Sequence, residues 1–395
     1  MSSLLQANGI TKRYGDKLLF ENINFYVDVG DKIAIVGLNG SGKTSLLRIL
    51  SGEESSNAGS ISLKRDLKIA VLEQDFKLNP DNTVLEAVLH DSGDLYACIS
   101  NYENALNSGD TEQIQTSIEQ MDALQAWDYE AKMKQILGKL KIDEFDKKIS
   151  VLSGGQKKRV ALAAVLIQDF DLLILDEPTN HLDLDMIEWL EEYLDNEVKS
   201  LVTITHDRYF LDRVCNRIAE IDDKTMYFYE GNYSKFVELK NLREEIHAAS
   251  VEKAKNLLST EIDWLRRMPK ARTTKSKYRI KAAEELSEKA RTQKNDASFE
   301  IKVQASRLGS KIVNLKNISK SFGEKKVIDE FSYIFAPHEK IGIVGNNGTG
   351  KTTLLKLITQ QLNPDKGKIS IGETVKFAYY KQDGLNFDKN DRPID

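Results

Sequence analysis

Residues 31–52 read DKIAIVGLNGSGKTSLLRILSG, and this stretch decides the fold. A short apolar run with β-branched residues ends at Gly37, a glycine-rich segment follows, and the pattern then becomes helical. A strand, a glycine loop and a helix in this order are the setting that a phosphate-binding loop requires. Glycines at 37, 40 and 42 let backbone N–H groups converge on phosphate oxygens at the positive end of the helix.

The residues of this loop have separate predicted roles. We expect Lys43 to reach the β- and γ-phosphates of a nucleotide as a point charge, and the Thr44 hydroxyl to ligate Mg²⁺. The predicted nucleotide contacts are Gly37, Leu38, Asn39, Gly40, Ser41, Gly42, Lys43, Thr44 and Ser45.

The same loop occurs a second time as GNNGTGKT at 345–352, with an offset of 308 (345 − 37). Two other pairs keep this offset, Tyr14 with Phe322 and Gln74 with Gln382. Three landmarks in one register indicate a duplicated domain. The contacts predicted in the second copy are Phe322, Gly345, Asn346, Asn347, Gly348, Thr349, Gly350, Lys351, Thr352, Thr353 and Gln382, with Thr352 and Gln382 as metal ligands.

Two apolar runs of the first copy end in polar groups. FDLLILDEP at 170–178 predicts a strand that ends in Asp176 and Glu177, at the sheet edge where α/β proteins bind ligands. Since neighbours on a strand point in opposite directions, we expect Asp176 to hold Mg²⁺ and Glu177 to be the general base. SLVTITHD at 200–207 ends near His206, which we interpret as a γ-phosphate sensor.

Three further sites follow from local patterns in the first copy. Gln74, at the end of KIAVLEQ, is placed to bridge Mg²⁺ and the attacking water, and Tyr14 offers a flat face for adenine stacking. LSGGQ at 152–156 precedes a helical run, so the free N–H groups of Ser153, Gly154 and Gly155 predict an anion site at a helix start, and Gln156 is a further predicted nucleotide contact. A module with its own phosphate loop needs no second anion site. We therefore expect this one to cap the γ-phosphate held by a different module.

Composition narrows the class of protein. The 395 residues carry a formal charge of −5, and the two cysteines, Cys98 and Cys215, have no metal-like spacing. No apolar stretch approaches the ~18 residues of a membrane span, and the N-terminus lacks the apolar core of a secretory signal. We therefore expect no membrane span, export signal, disulfide framework or zinc site, and a location in the reducing cytoplasm.

A basic run interrupts this acidic chain. Between Asp263 and Glu284 there are eight basic residues and no acidic ones, which leaves −13 on the remainder (−5 minus eight positive charges). The basic residues are Arg266, Arg267, Lys270, Arg272, Lys275, Lys277, Arg279 and Lys281. Helical stripes on either side predict two antiparallel helices about a basic turn. Such a turn predicts contact with nucleic-acid phosphates, and the alternative is a solvated, partly disordered linker.

Together these motifs resemble the nucleotide-binding domain of ATP-binding cassette (ABC) proteins. The wording DEPTNHLD at 176–183 is typical of the ABC-F family, and WLRRMPKARTTKSKYRI at 264–280 is most similar to its Uup-like branch. The resemblance implies that Asp183 is a nucleotide contact in the D-loop and that His206 is the switch histidine. It also implies ATP and Mg²⁺ as cofactors, ATP hydrolysis, and two cassettes that pair with each other over two ATP molecules.

The expected fold is α/β, that of P-loop NTPases. We predict a first nucleotide-binding domain at 4–240 with a helical arm at about 83–138, a basic helical linker at 241–300, and the N-terminal portion of a second domain at 311–395. The arm is predicted as two helices broken by NSGD. By the offset, the second LSGGQ falls near position 460, beyond residue 395. We interpret the sequence as truncated within the second cassette and expect it to bind ATP but to turn it over poorly, unless two chains pair through the first copy.

Three functions remain open at this point. The resemblance favours a nucleotide-gated switch on the ribosome, where the linker would contact rRNA and tRNA, in translation or in ribosome protection. The alternative, implied by the resemblance to the Uup-like branch, is an ATPase that binds branched DNA. The third hypothesis is the ATPase subunit of a transporter, against which the duplication on one chain and the basic linker argue.

Overall fold

The computed structural model describes residues 3–74, 76–89, 94–124, 126–266, 312–323, 325–345 and 348–380. The chain divides into two compact units, Met1–Asn295 and Asp296–Asp395. Among the described helices, none is both long and apolar enough to span a bilayer.

The first unit alternates strands and helices, as the α/β prediction requires. Its described strands are β1 (Ser3–Tyr14), β2 (Lys17–Asp28), β3 (Lys32–Gly37), β4 (Ala58–Leu63), β5 (Ile69–Leu72), β6 (Leu172–Asp176), β7 (Leu201–Ile204), β8 (Arg217–Asp222) and β9 (Thr225–Glu230). Its described helices are α1 (Lys43–Ser51), α2 (Val84–Leu89), α3 (Asp94–Ser108), α4 (Thr111–Ala123), α5 (Trp127–Lys139), α6 (Gly154–Ile167), α7 (Leu184–Asn196), α8 (Arg208–Val214) and α9 (Tyr233–Arg266).

A six-stranded sheet with the order β5-β6-β7-β3-β8-β9 forms the centre of this unit. The first five strands are parallel and β9 runs antiparallel to β8. Both faces of the sheet are covered, as β6 shows, since its alternate residues belong to two different apolar clusters. Leu173 and Leu175 join the cluster that contains α6, whereas Leu172 and Ile174 join the cluster that contains α1. Burial on both faces explains why β6 is continuously apolar.

A second, three-stranded antiparallel sheet with the order β2-β1-β4 completes the first unit, and the second unit repeats it. There the order is β11-β10-β12. The described elements of the second unit are β10 (Val313–Phe322), β11 (Lys325–Phe335), α10 (Lys351–Ile358) and β12 (Lys366–Ile371). The starts of α10 and β12 each lie 308 positions after those of α1 and β4 (351 − 43 and 366 − 58). The duplication predicted from the motifs is therefore also present in the backbone.

Unusual backbone angles follow the same offset. Asn22 and Glu330 both adopt positive φ, at 50° and 44°, although neither is a glycine. Gly59 and Gly367 match at 94° and 89°. The two copies thus share both bends, and at Asn22 and Glu330 the bend is kept although the residue changes.

The described residues of the helical arm form four helices, α2 to α5, so the prediction of two helices was wrong. The predicted break does separate α3 from α4, where the Asp110 carboxylate caps α4 by accepting from the N–H groups of Glu112 and Gln113. The break before α5 has no glycine or proline signal. There the Trp127 indole donates to the Asp122 carboxylate at 2.6 Å and its ring packs edge-on against Tyr102. The ring contact joins Trp127 to a residue 25 positions away (127 − 102), which the local sequence does not reveal.

Helix α9 runs unbroken for 34 residues through the predicted domain boundary at 240. Its first turns are anchored to the sheet, since Lys240 and Arg243 pair with Glu220 at 2.7 and 3.0 Å and Arg243 pairs with Asp222 at 3.0 Å. The domain limits remain a prediction. The predicted return helix and the basic residues from Arg267 to Lys281 lie outside the described residues, as does the side chain of Arg266.

The second unit differs from the first at the strand before its phosphate loop. Residues 341–345, the counterpart of β3, are not a strand, and Ile343 and Val344 are 39% and 87% exposed. In the first unit β3 is held between β7 and β8. In the described part of the second unit no strand pairs with 341–345. A strand-forming sequence therefore lacks the ladder that would make it a strand.

The close approach of β4 to β1 gives a test of this fold. A Cβ at Gly59 would lie 2.6 Å from the carbonyl oxygens of Asn8 and Gly9, whereas a Cβ at Gly52, which has a similar positive φ, meets nothing within 4 Å. Both Gly→Ala changes strain φ, but only Gly59→Ala adds a backbone clash. We expect Gly59→Ala to lower the free energy of unfolding by about 1–3 kcal/mol more than Gly52→Ala in urea titrations. Equal losses in the two variants would contradict the proposed close approach.

Candidate functional site

The carboxyl ends of three neighbouring strands bring the predicted site residues together. In the ladder Asp176 at the end of β6 pairs with Ile204 at the end of β7, and β7 lies beside β3, which leads into the phosphate loop. Glu177 follows β6 directly, and His206 lies two residues after the end of β7. The phosphate loop, both carboxylates and the histidine therefore share one edge of the sheet, as the motifs predicted. Gln74 follows the neighbouring strand β5 at this edge and is exposed.

The phosphate loop wraps tightly over the start of α1. A Cβ at Gly37 would lie 2.7 Å from the Ile221 carbonyl oxygen of β8, so this position has no room for a larger residue. At its glycines, which the structure describes, the second loop repeats the backbone conformation of the first. Gly42 and Gly350 cap their helices with φ of 99° and 102°.

Lys43 is held by the loop itself. Its Nζ donates to the carbonyl oxygens of Gly37 and Leu38 at 2.9 and 3.2 Å. Burial lowers the pKa of Lys43, while Glu177 and Asp176 act in the opposite direction. A nucleotide phosphate is a more strongly charged acceptor than these neutral carbonyls, and this favours transfer of the amine to it.

Asp176 has the environment of a metal ligand. It is 3% exposed, and among the described residues its Oδ2 atom has no hydrogen-bond partner. Burial raises the pKa of Asp176, against smaller lowering effects of a hydrogen bond with Thr44 and of nearby cations. A buried carboxylate oxygen without a partner, beside a threonine hydroxyl, matches the oxygen ligands that Mg²⁺ prefers. Asp176 and Thr44 therefore fit the binding of Mg²⁺.

The position of Glu177 differs from the expectation that Asp176 and Glu177 are neighbours on one strand. Strand β6 ends at Asp176, and Glu177 lies beyond it with φ of 51°, so the two carboxylates do not alternate along a strand. The Glu177 N–H donates to the Ile204 carbonyl at 2.7 Å, and its Oε1 lies 3.5 Å from His206 Nε2. Burial raises the pKa of Glu177; His206 lowers it and the charge of Asp176 raises it. A carboxylate of raised pKa is suited to accept a proton from water.

The LSGGQ segment starts α6 as predicted, but two of its N–H groups are not free. Ser153 and Gln156 form a capping box, in which the Gln156 N–H donates to Ser153 Oγ and the Ser153 N–H donates to Gln156 Oε1. The S-x-x-Q spacing was a readable signal for this cap. The expectation of three free donors, at Ser153, Gly154 and Gly155, was therefore wrong for Ser153. The nucleotide contacts of Ser153, Gly154, Gly155 and Gln156 stay predictions.

Asp183 is buried and already bonded within the first unit. Its carboxylate caps α7 by accepting from the Met186 N–H at 3.1 Å, and it pairs with Lys141 at 2.7 Å. Burial raises the pKa of Asp183, but the hydrogen bonds from Lys141 and Met186 outweigh it and leave that pKa below its ordinary value. A nucleotide contact at Asp183 remains an expectation from the family resemblance.

Tyr14 is tied to the loop by residues that the sequence analysis missed. Its hydroxyl donates to Glu54 at 2.6 Å and lies 3.3 Å from Ser45 Oγ, and Lys12 pairs with Glu54 at 2.6 Å. The ring remains 50% exposed. In the second unit Phe322 has no hydroxyl, and Leu362 stands at the position that corresponds to Glu54 (54 + 308).

Several predicted residues cannot be compared with the structure. Asn346, Asn347 and Gln382 lie outside the described residues. The described residues also contain no cluster of three or more His, Cys, Asp or Glu that would hold a metal alone.

A phosphate loop over a parallel sheet, a buried aspartate beside it and a glutamate–histidine pair define a nucleotide-binding domain of the ABC class. A family model described as ABC transporter matches residues 20–180 and 328–388, and a second model with the same description matches 219–301. The chain belongs to the ABC-F family of ATP-binding cassette ATPases. The match at 328–388 covers the second copy of the loop.

Curated relatives cover most of this chain. It is 41% identical over 389 residues to the "Uncharacterized ABC transporter ATP-binding protein YfmR" of Bacillus subtilis, covering 96% of this chain and 62% of the relative. It is 36% identical to the "Energy-dependent translational throttle protein EttA" of Mycobacterium tuberculosis, covering 94% and 68%. The protein of that name in Escherichia coli is 35% identical, covering 92% and 67%. The chain thus spans about two thirds of the length of these relatives.

The likeness to solved structures is weaker. One, "Structure of ATP binding subunit of ABC transporter", is 20% identical with a TM-score of 0.44, covering 57% of this chain and 90% of that one.

The tether on Tyr14 gives a test of the first loop. In a Lys351→Ala background, which leaves the first loop as the intact one, Tyr14→Phe removes the bond to Glu54 and frees the ring. We expect the Kd for ATP to rise by about 2- to 10-fold in fluorescence titrations, the effect of one hydrogen bond. Phe322→Tyr in a Lys43→Ala background is the matched control, and it should gain no affinity because Leu362 cannot accept a hydrogen bond. Unchanged affinity in Tyr14→Phe would show that the tether does not prepare the site.

Proposed function

We propose that the protein binds and hydrolyses ATP and acts as a nucleotide-gated switch on the ribosome. The observation that carries the hydrolytic part is the position of Glu177. Its carboxylate is mostly buried, 3.5 Å from His206, and follows the metal-ligand candidate Asp176 directly. A base, a polar partner and a metal ligand at the carboxyl edge of one sheet are the set that phosphoanhydride hydrolysis needs.

Each residue then has one task. Lys43 and the loop amides bind the phosphates, and Thr44 with Asp176 would hold Mg²⁺, which when bound neutralises charge on the phosphate oxygens. Glu177 accepts the proton of the attacking water, and His206 contacts the γ-phosphate as its sensor. Gln74 and Gln382 are the proposed bridging residues, and Tyr14 and Phe322 the proposed adenine platforms.

Switching requires that ATP bind one arrangement of the cassettes better than another. We propose that the two cassettes close over ATP and reopen after hydrolysis, because contacts to the γ-phosphate exist only before it is cleaved. The LSGGQ at 152–156 would supply contacts to the nucleotide held by the other cassette. A transporter-subunit role does not explain the basic linker between the two copies.

The ribosome is the proposed partner for two reasons. Relatives named for a translational throttle are 35–36% identical over most of this chain. The charge distribution agrees, since eight basic residues form one run in a chain that is otherwise −13. Such a chain is repelled by RNA phosphates except at the basic run. This partner implies a cytoplasmic location. Branched DNA would meet the same run, and it is the second candidate because the linker is similar to that of the Uup-like branch.

Removing the general base should separate binding from hydrolysis. In Glu177→Gln we expect ATP affinity to be retained and hydrolysis to fall by about 10²- to 10⁴-fold, the usual contribution of a general base. The variant should then sediment with ribosomes in sucrose gradients when ATP is present. Glu192→Gln, the same change at an exposed position on α7, is the control and should behave as wild type. A Glu177→Gln protein that stays at the top of the gradient with ATP would favour the DNA hypothesis.

Charge reversal in the linker should test the nucleic-acid contact. We expect the triple change Arg272→Glu, Lys275→Glu and Lys277→Glu to weaken ribosome binding and to reduce the salt slope of binding by about one unit per lost phosphate contact. The control reverses three exposed lysines of the first unit, Lys64, Lys77 and Lys199, with the same change in net charge. If both triple variants bind equally well, the basic run does not contact RNA.

A further inference from the structure

Lys158 is a buried lysine that none of the motif assignments uses. It lies on α6 just after the LSGGQ segment and is 6% exposed. Lysine is rarely buried unless it is paired. The Nζ of Lys158 donates to the main-chain carbonyl oxygen of Glu177 at 2.7 Å. An amine donates such a bond in either protonation state, so the contact does not depend on charge.

The residue that receives this bond has an uncommon backbone. Glu177 has φ of 51°, in the left-handed region that residues other than glycine rarely occupy. Such a conformation persists only when the surroundings determine it. Here the N–H of Glu177 donates to the Ile204 carbonyl at 2.7 Å, and its carbonyl accepts from Lys158 at 2.7 Å and, more weakly, from the Asn180 N–H at 3.4 Å.

The conformation also sets where the carboxylate lies. A change of φ from the left-handed to an extended value swings the Cβ of Glu177 and with it the carboxylate, which now lies 3.5 Å from His206 Nε2. Loss of Lys158 would leave a buried carbonyl poorly satisfied and would remove one of the bonds that oppose this change. The position of the general base therefore depends on a side chain from a different element.

We propose that Lys158 is a positioning residue for Glu177 and links the helix that begins at LSGGQ to the carboxylate that accepts the proton. This inference rests on the proposed function, because it assigns that role to Glu177. Helix α6 is 14 residues long and regular, so displacement of its first turn moves Lys158 with it. A nucleotide that another module holds against Ser153–Gln156 would thus affect the position of Glu177, the general base of the first module.

A matched pair of variants tests the link. Lys158→Met keeps length and burial but removes the donor. Lys132→Met removes the same kind of bond at the other end of α6, where the Lys132 Nζ donates to the carbonyls of Ile167 and Gln168 at 3.2 and 3.3 Å. In nucleotide-free protein we expect hydrogen exchange of peptides covering 173–182 to be at least tenfold faster in Lys158→Met and unchanged in Lys132→Met.

Kinetics provide the second measurement, at protein concentrations high enough for chains to pair. In Lys158→Met we expect kcat to fall at least tenfold while KM and the Kd for ATP stay within twofold of wild type, and Lys158→Arg to recover most of kcat. Unchanged exchange at 173–182, or a rise in KM that matches the fall in kcat, would overturn the proposal.

Two further results are decisive. If Lys158→Met does not fold, Lys158→Leu, which also removes the donor, is measured in the same way, and wild-type exchange and kcat in it would overturn the link. If wild-type protein hydrolyses no ATP, the proposed function fails, while the exchange comparison still supports or refutes the role of Lys158.

Discussion

The parallel hydrogen-bond ladder that joins β6, β7 and β3 is the constraint on which the site depends. It places Asp176 opposite Ile204 and sets β3 next to β7, so that groups more than 100 positions apart in sequence share one edge. The ladder is stable because both faces of these strands are buried, in two separate clusters. The polar groups then begin where the strands stop, at the point where the chain leaves the apolar interior.

The electrostatics of the site follow from that position. Asp176 and Glu177 are close enough to the core for burial to raise the pKa of each, and burial lowers the pKa of Lys43 beside them. Carboxylates and amines held in this way are poorly solvated in the protein alone. A magnesium nucleotide would place opposite charges beside these poorly solvated groups, which is a physical reason for tight binding at this edge.

The duplicated units share their backbone more closely than their side-chain contacts. Positive φ recurs at the offset of 308 even where Asn22 is replaced by Glu330, because the bend is set by the pairing of strands. The hydroxyl tether of Tyr14 does not recur, since Phe322 and Leu362 occupy the corresponding positions. The two copies therefore have similar backbone angles at the glycines of their phosphate loops, and they differ around the aromatic residue that is the proposed platform for adenine.

The sequence by itself determined the phosphate loops, the duplication, the α/β class and the residues that meet at the sheet edge, because each has a local pattern of glycines, apolar runs and terminal polar groups. Only the tertiary structure decided the left-handed turn at Glu177, the tether from Glu54 to Tyr14, the four helices of the arm and the contact from Lys158. Each of these depends on atoms that are distant in the chain and become neighbours through packing. The spacing of residues in the sequence does not reveal such contacts, since residue type alone does not distinguish a buried lysine from an exposed one.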